Sequence, residues 1–499
     1  MIPLLHFFRR STNLLIILFI ISMMLIVIIL HLFFSSSLQE PSTYFENVKT
    51  QYDNVWKNLL PSSSLSSSSN TSIIPFEESE ESPNSQAALW DYSNDDQDKI
   101  EDIFQRLSTP LYPEIPSYSS MNMTYRKQLE KDTLAKNGKI YNDFMSTPII
   151  EPKVDYLIRP DDELAGSANA TILSLVTNND LKELLPSIQQ LEEKFNKKFG
   201  YPYVFLNDGE FSEEFKDTII NMLPNGRVVK FGQIEKEDWD MPDTIDRERY
   251  KIECEKMDKL KVSYVKKESY HNMCRFYSRK FYHHPLLQEY KYTWRLEPGT
   301  SLYCDVDYDV FKFMEMENKV YGYVLNLYDG ANSIPTLWET TMEFVKKNPN
   351  YLNPNGAFDW LKENAQKPEN FETAKGYSTC HFWTNFEITN LDFLRSEAYE
   401  KYMDHLENSN GFYYERWGDA PVRSIALALF LDKSRIHWFR DIAYNHNPYT
   451  NCPKCPEGSM RCDGRCKPGL FTMWKDLNIE NCQATWIDKI MSDEEKNLY

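Results

Sequence analysis

The apolar pattern changes character several times along the chain. Residues 14–34, LLIILFIISMMLIVIILHLFF, are continuously apolar and contain no Lys, Arg, Asp or Glu. A helix of about 20 such residues spans the ~30 Å hydrocarbon core of a bilayer. Residues 35–75 are Ser-rich, with SSSLSSSSNTS at 62–72, and bury too little apolar surface to fold. Low complexity continues to about residue 110, and MTYRKQLEKDTLAKNG then predicts a helix before a proline-punctuated approach. From residue 170 the period shortens. ATILSLVT (170–177) predicts a buried strand, DLKELLPSIQQLEEKFNKKFG a helix, and YPYVFLND (201–208) a second strand. This βαβ unit implies a sheet with helices packed on it. GRVVKFG and KVYGYVLNLYDG read as further strands, and 336–347 as a helix between them. In such folds ligands sit at the carboxyl ends of the strands. The expected organisation is a tail at 1–13, an anchor at 14–34, a stem at 35–165 and one α/β head at 166–499.

Charge orients this picture. Arg9 and Arg10 precede the apolar run, and the next basic residue after it is Lys49. The positive-inside rule therefore places the short N-terminus in the cytosol and the rest in the lumen. A cleaved signal peptide is the rival reading, but the run exceeds a usual h-region and Ser35–Ser37 make a poor cleavage site. The net charge of −19 excludes a nucleic-acid binder, because no basic stripe exists to neutralise phosphates. The acidic runs at 77–82 and 95–102 read as solvated segments. Nine cysteines in a luminal chain predict disulfides with at least one thiol left over. Cys452, Cys455, Cys462 and Cys466 superficially resemble a zinc knuckle, but their spacing fits no common zinc module. Sequons occur at Asn70, Asn122 and Asn169.

Candidate chemistry concentrates in residues 379–424, where His381, Glu387, Glu415 and Asp419 lie among aromatic side chains. Sugar rings stack on aromatic faces while their hydroxyls bind carboxylates. Glu387, set among Phe382, Trp383 and Phe386, would be desolvated with its pKa raised. That suits a group acting on an anomeric carbon; the alternative is a buried carboxylate paired with Arg395 or Arg416. In a strand over 302–311, Asp305, Asp307 and Asp309 would share one face. They would hold a divalent cation against a nucleotide diphosphate or simply form a solvated face. His446, in a loop closed by Pro448, is on ordinary odds a structural histidine.

SYHNMCRFYSRKFYHHPLL (269–287), YTWRLEP, YCDVDYDVF, IPTLW, CHFWTNFEI, FYYERWGDAPV and PYTNCP occur in that order. Together, over roughly 165–455, they resemble the fungal KTR-type Golgi α-1,2-mannosyltransferases, glycosyltransferase family 15. The resemblance implies a GT-A-like α/β fold, GDP-mannose as donor, Mn2+ as cofactor and retention of anomeric configuration. It also implies a Golgi type II membrane enzyme that extends mannose-terminated N- or O-linked glycans of cell-wall glycoproteins. Matched by motif, Glu387 falls at the position of the family's proposed nucleophile, with Glu297 and His446 at the manganese positions. Tyr270 and Asp419 fall where substrate binding and catalysis are implicated, and Arg295 joins Tyr270 on the donor. Asp305 and Asp307 become second choices for the metal–diphosphate site, and His381 recedes. Trp383 and Trp417 are the expected aromatic walls. Departures stand out: Gly299 where relatives are often acidic, Tyr328-Asp329-Gly330-Ala331 before IPTLW, Arg423 in place of a usual His, and Asn445 and Asn447 in place of the usual residues flanking His446. Gly299 and Ala331 keep open a second reading, a catalytically inactive luminal lectin or a subunit of a mannosyltransferase complex. A glycoside hydrolase using paired carboxylates is a more distant third.

Overall fold

A computed structural model describes residues 97–462, 464–472 and 479–499. The apolar run 14–34, the Ser-rich segment and Asn70 lie outside these residues. Among the described residues, no helix is long and apolar enough to cross a membrane.

The head is built on a seven-stranded sheet. Its strands are β1 (Ala170–Leu175), β2 (Tyr203–Asn207), β3 (Val229–Gln233), β4 (Tyr292–Arg295), β6 (Tyr321–Tyr323), β9 (Ile388–Asn390) and β10 (Ile436–Trp438). In space they run β10-β6-β9-β4-β1-β2-β3. All are parallel except β9, which is antiparallel to both neighbours. The first two expected strands pair directly, Ile172 opposite Tyr203, and both are buried along their length because helices cover both sheet faces. Reversal of β9 brings its N-terminal end beside the carboxyl end of β4, with Trp294 opposite Ile388. That junction is where the site forms.

Two smaller sheets complete the edge. β5 (Thr300–Leu302), β11 (Tyr444–His446) and β12 (Tyr449–Asn451) form an antiparallel sheet with His446 opposite Thr300. β7 (Asn326–Tyr328) and β8 (Cys380–Phe382) form a ribbon. Cys380 is joined to Cys482, and Cys452 to Cys466. Cys462 lies within bonding reach of both Cys304 and Cys455, while Cys254 and Cys274 are free and buried. The C-terminal cysteines are thus a disulfide cluster.

Two expectations change. The stem was expected to continue to residue 165, yet the chain packs on the head from residue 97. Helix Gln97–Ser108 buries Ile100, Ile103 and Leu107, one apolar stripe at helical spacing set between acidic residues. Helix Met123–Met145 buries Tyr141 and Met145, and its Asn122 carboxamide caps it by accepting from the Tyr125 N–H. The second change is 302–311, where regular pairing ends at Leu302. Asp309 turns inward instead of sharing a solvent face. Fully buried, it caps helix Val310–Met316 by accepting from the Phe311 and Lys312 N–H groups, and it also accepts from Tyr201 and Gly166.

Candidate active site

At the β4–β9 junction lies a cavity of about 600 Å³, walled by Tyr270, Arg295, Glu297, Trp383, Asp419 and His446 among others. Arg295, the last residue of β4, has its backbone N–H on the Glu387 carbonyl, which continues the ladder and fixes where its side chain points. Its guanidinium joins two carboxylates. Nε donates to Glu297 Oε1 at 2.6 Å and Nη1 to Asp419 Oδ2 at 2.7 Å, while Cζ lies 3.5 Å from the Tyr277 ring centroid. Asp419 begins helix Asp419–Phe430, a position that favours negative charge, and also accepts from Thr384 Oγ1 at 2.8 Å. Burial pushes its pKa up, but Arg295 and Thr384 outweigh that and hold it below the ordinary carboxylate value. Burial wins at Glu297, whose pKa is raised in spite of Arg295.

The opposite wall comes from β11. His446 stacks on Trp383 with centroids 5.2 Å apart, and its Nδ1 lies 2.7 Å from Asn385 Nδ2. Burial, reinforced by Arg295, lowers its pKa and keeps the imidazole neutral at neutral pH. Tyr270 closes the mouth, stacked on Tyr264 at 4.7 Å.

The residues named from sequence therefore divide. Tyr270, Arg295, Glu297, Trp383, Asp419 and His446 share the cavity. Asp305 and Asp307 do not. They pair with Lys194 and Lys198 beyond the edge of β5, because the chain leaves the sheet before reaching them. Trp417 is no wall. It is buried against Gly411 and donates to Glu415, which in turn binds Thr336. Glu387 lies beneath the cavity rather than in its wall, 2% exposed, with Oε2 3.6 Å from Arg423 Nε. Its partner is thus neither Arg395, which binds the carbonyls of Tyr282, Leu287 and Tyr290, nor Arg416, which faces Asp329 at 3.7 Å. Burial raises the Glu387 pKa as expected, against the pull of Arg423 and Arg295.

His381, which had receded, does line the cavity, together with Asp329 and Arg416. Thr384 and Asn385 were overlooked. Their signal was a short polar pair interrupting an aromatic string just before Glu387. Gly299 has φ +76° in the turn from β4 to β5, a left-handed position where glycine is favoured over an acid.

The family model described as glycolipid 2-alpha-mannosyltransferase matches residues 118–491. The chain belongs to this family. A Saccharomyces cerevisiae relative named "Probable mannosyltransferase KTR4" is 59% identical over 410 residues, 81% of this chain and 85% of the relative. The X-ray structure of the S. cerevisiae mannosyltransferase Ktr4p in complex with GDP superposes with a TM-score of 0.78 at 59% identity. That match covers 81% of this chain and 100% of Ktr4p. Core-mannan synthase A of Aspergillus fumigatus, in its Mn/GDP form, has a TM-score of 0.66 at 43% identity, covering 70% and 93% of the two chains. The α/β fold with a mixed sheet is that of these transferases, and family membership makes the chain an α-1,2-mannosyltransferase.

Proposed function

We propose that the chain moves mannose from GDP-mannose onto a mannose-terminated glycan of a glycoprotein, with retention, while anchored in the Golgi membrane by residues 14–34. The observation carrying this reading is the Arg295 brace. It holds Glu297 and Asp419 in one cavity opposite neutral His446 and beside the Trp383 ring. The GDP and Mn/GDP forms of the two relatives support a nucleotide-sugar donor and a divalent cation.

The residues present fit Mn2+. One carboxylate and one neutral imidazole are a donor set that a borderline-hard divalent ion accepts. As placed, Asn385 Nδ2 faces His446 Nδ1 and Asn385 Oδ1 accepts from Tyr444. With the carboxamide turned, Oδ1 accepts from a protonated Nδ1, Tyr444 accepts from Nδ2, and His446 Nε2 is left free for an ion. When bound, the ion stabilises negative charge on the departing diphosphate. Arg295 orients Glu297 and keeps Asp419 ionised; Asp419 and Trp383 then bind and orient the sugar. Glu387, one layer below, supplies fixed negative charge toward the anomeric carbon. Its depth favours same-face attack with charge stabilisation over a covalent glycosyl intermediate.

The test is transfer of labelled mannose from GDP-mannose to methyl α-mannoside by the detergent-solubilised full chain, with and without Mn2+. An α-1,2 disaccharide formed only with the metal is expected; sugar binding without transfer would favour the lectin reading. Glu297→Gln and His446→Ala should each weaken Mn2+-dependent GDP binding by at least about tenfold. Titration calorimetry checks this, and unchanged affinity in both variants removes them as ligands.

A further inference from the structure

A second cavity of about 500 Å³ lies between residues 107–110, helix Leu337–Lys347 and the segment 362–376. An adjoining cavity of about 380 Å³ shares Pro110, Phe371, Lys375 and Gly376 with it. Together they form a groove in the size range of ligand sites. Lys362 lines its base although only 4% of its surface is exposed. The ammonium sits 5.1 Å from the ring centroids of both Trp338 and Phe371 and donates to the Gly376 carbonyl. Among the described residues no carboxylate pairs with it, and burial pushes its pKa down to about 8. A buried ammonium with donors left over is costly unless something accepts from it.

The groove's chemistry narrows the occupant. Phe371 is half-buried beside the ammonium, and the rim mixes both signs through Glu339, Glu343, Lys346 and Lys375, with Lys375 paired to Glu339. A phosphate chain would face three carboxylates, with Glu372 of the adjoining cavity included, and a basic peptide would face three ammonium groups. A neutral polyhydroxyl chain meets neither problem. Its hydroxyls accept from Lys362 and donate to the glutamates, and its ring faces lie on the aromatics. One helix links the groove to the wall of the first cavity. Helix Pro368–Thr373 carries Phe371 on the groove side, while Asn370 donates to the Asp329 carbonyl at 2.9 Å and to Thr379 Oγ1 at 3.1 Å. Asp329 lines the first cavity.

We propose that this groove is a second carbohydrate subsite, taking the body of an extended mannoside acceptor whose terminal residue occupies the first cavity. The proposal rests on the mannosyl-transfer reading for the identity of the sugar. It implies that the chain prefers long acceptors to short ones through a site that performs no chemistry.

The experiment compares methyl α-mannoside with a linear α-1,2-mannopentaose in the full chain, for Lys362→Met and for the rim double variant Glu343→Gln/Lys375→Ser. Each should raise KM for the pentaose about tenfold, the worth of one hydrogen bond to a charged group. KM for the monosaccharide and kcat should stay unchanged. Equal KM changes on both acceptors, or none on either in both variants, overturns the subsite. Calorimetric binding of the pentaose to the GDP-loaded chain separates this from failure of the transfer reading. Binding weakened by Lys362→Met supports the groove even if no mannose is transferred. Absence of pentaose binding refutes it even if transfer to methyl mannoside is rapid.

Discussion

Replacing Glu387 by glutamine should lower kcat for mannosyl transfer by about 10²–10³-fold, the scale of removing one preorganised electrostatic contact. GDP affinity should stay near its unmodified value, because the side chain is buried and does not line the cavity. The charge matters because it is fixed. Glu387 cannot rotate into solvent, and Arg423, fully buried, faces it at 3.6 Å while also donating to the Tyr277 carbonyl. Losing the carboxylate leaves a buried guanidinium uncompensated, so stability should fall by about 3–5 kcal/mol. Activity per folded molecule therefore has to be measured beside the melting curve. Unchanged turnover per folded molecule would reduce Glu387 to a structural partner of Arg423.

The same pair sets a pH signature. The folded-state pKa of Glu387 lies above its ordinary value because of burial, with Arg423 and Arg295 opposing. Folding therefore favours the protonated form. The associated stability is fully present below the unfolded pKa and is lost as pH rises through the folded one. If the ionised form is the active one, the acid limb of kcat lies above the ordinary glutamate range. Arg423→Met, by removing the largest opposing charge, should move that limb to still higher pH. An acid limb that does not move would separate Glu387 from the titration.

Parts of this arrangement were legible in the chain and parts were not, for physical reasons. β1 and β2 could be read because uninterrupted apolar runs have one stable location, a sheet covered on both faces. The clustering of Glu297, Asp419 and His446 came from motif order, which no periodicity carries. Asp305, Asp307 and Asp309 misled because alternation predicts a strand face only while pairing continues. Here the ladder stops at Leu302, and a carboxylate two residues before Phe311 serves better as a helix cap. The depth of Glu387 was hidden for another reason. Aromatic neighbours signal burial but not which layer, and its partner Arg423 lies 36 positions away on a different element (423 − 387). Nothing local in the sequence marks Lys362, since Trp338 and Phe371 meet it only through the tertiary fold.

Arg295 should be the residue whose loss does most damage to the assembled site. Arg295→Met leaves Glu297 and Asp419 in one cavity without the guanidinium that joins them, and breaking the buried Arg295–Asp419 pair costs about 3–5 kcal/mol. The effect has a direction in pH. In the intact protein, burial raises the Asp419 pKa but Arg295 and Thr384 hold it below the ordinary value. Its contribution is thus present above the unfolded pKa and lost as pH falls through the folded one. Without Arg295, burial dominates at both carboxylates and their folded pKa values rise. The penalty then grows as pH increases through those raised values and fades in acid, where both groups are protonated. Melting temperatures followed from about pH 3 to pH 8 should therefore converge for variant and parent at the acid end and diverge toward neutrality. A constant gap would mean that Arg295 acts through its packing on Tyr277 and not through charge. Arg295→Lys completes the argument. A lysine restores one positive charge but cannot reach two carboxylates with a planar fork. Stability should partly recover while Mn2+-dependent GDP binding stays weak, because the orientation of Glu297 depends on the second arm.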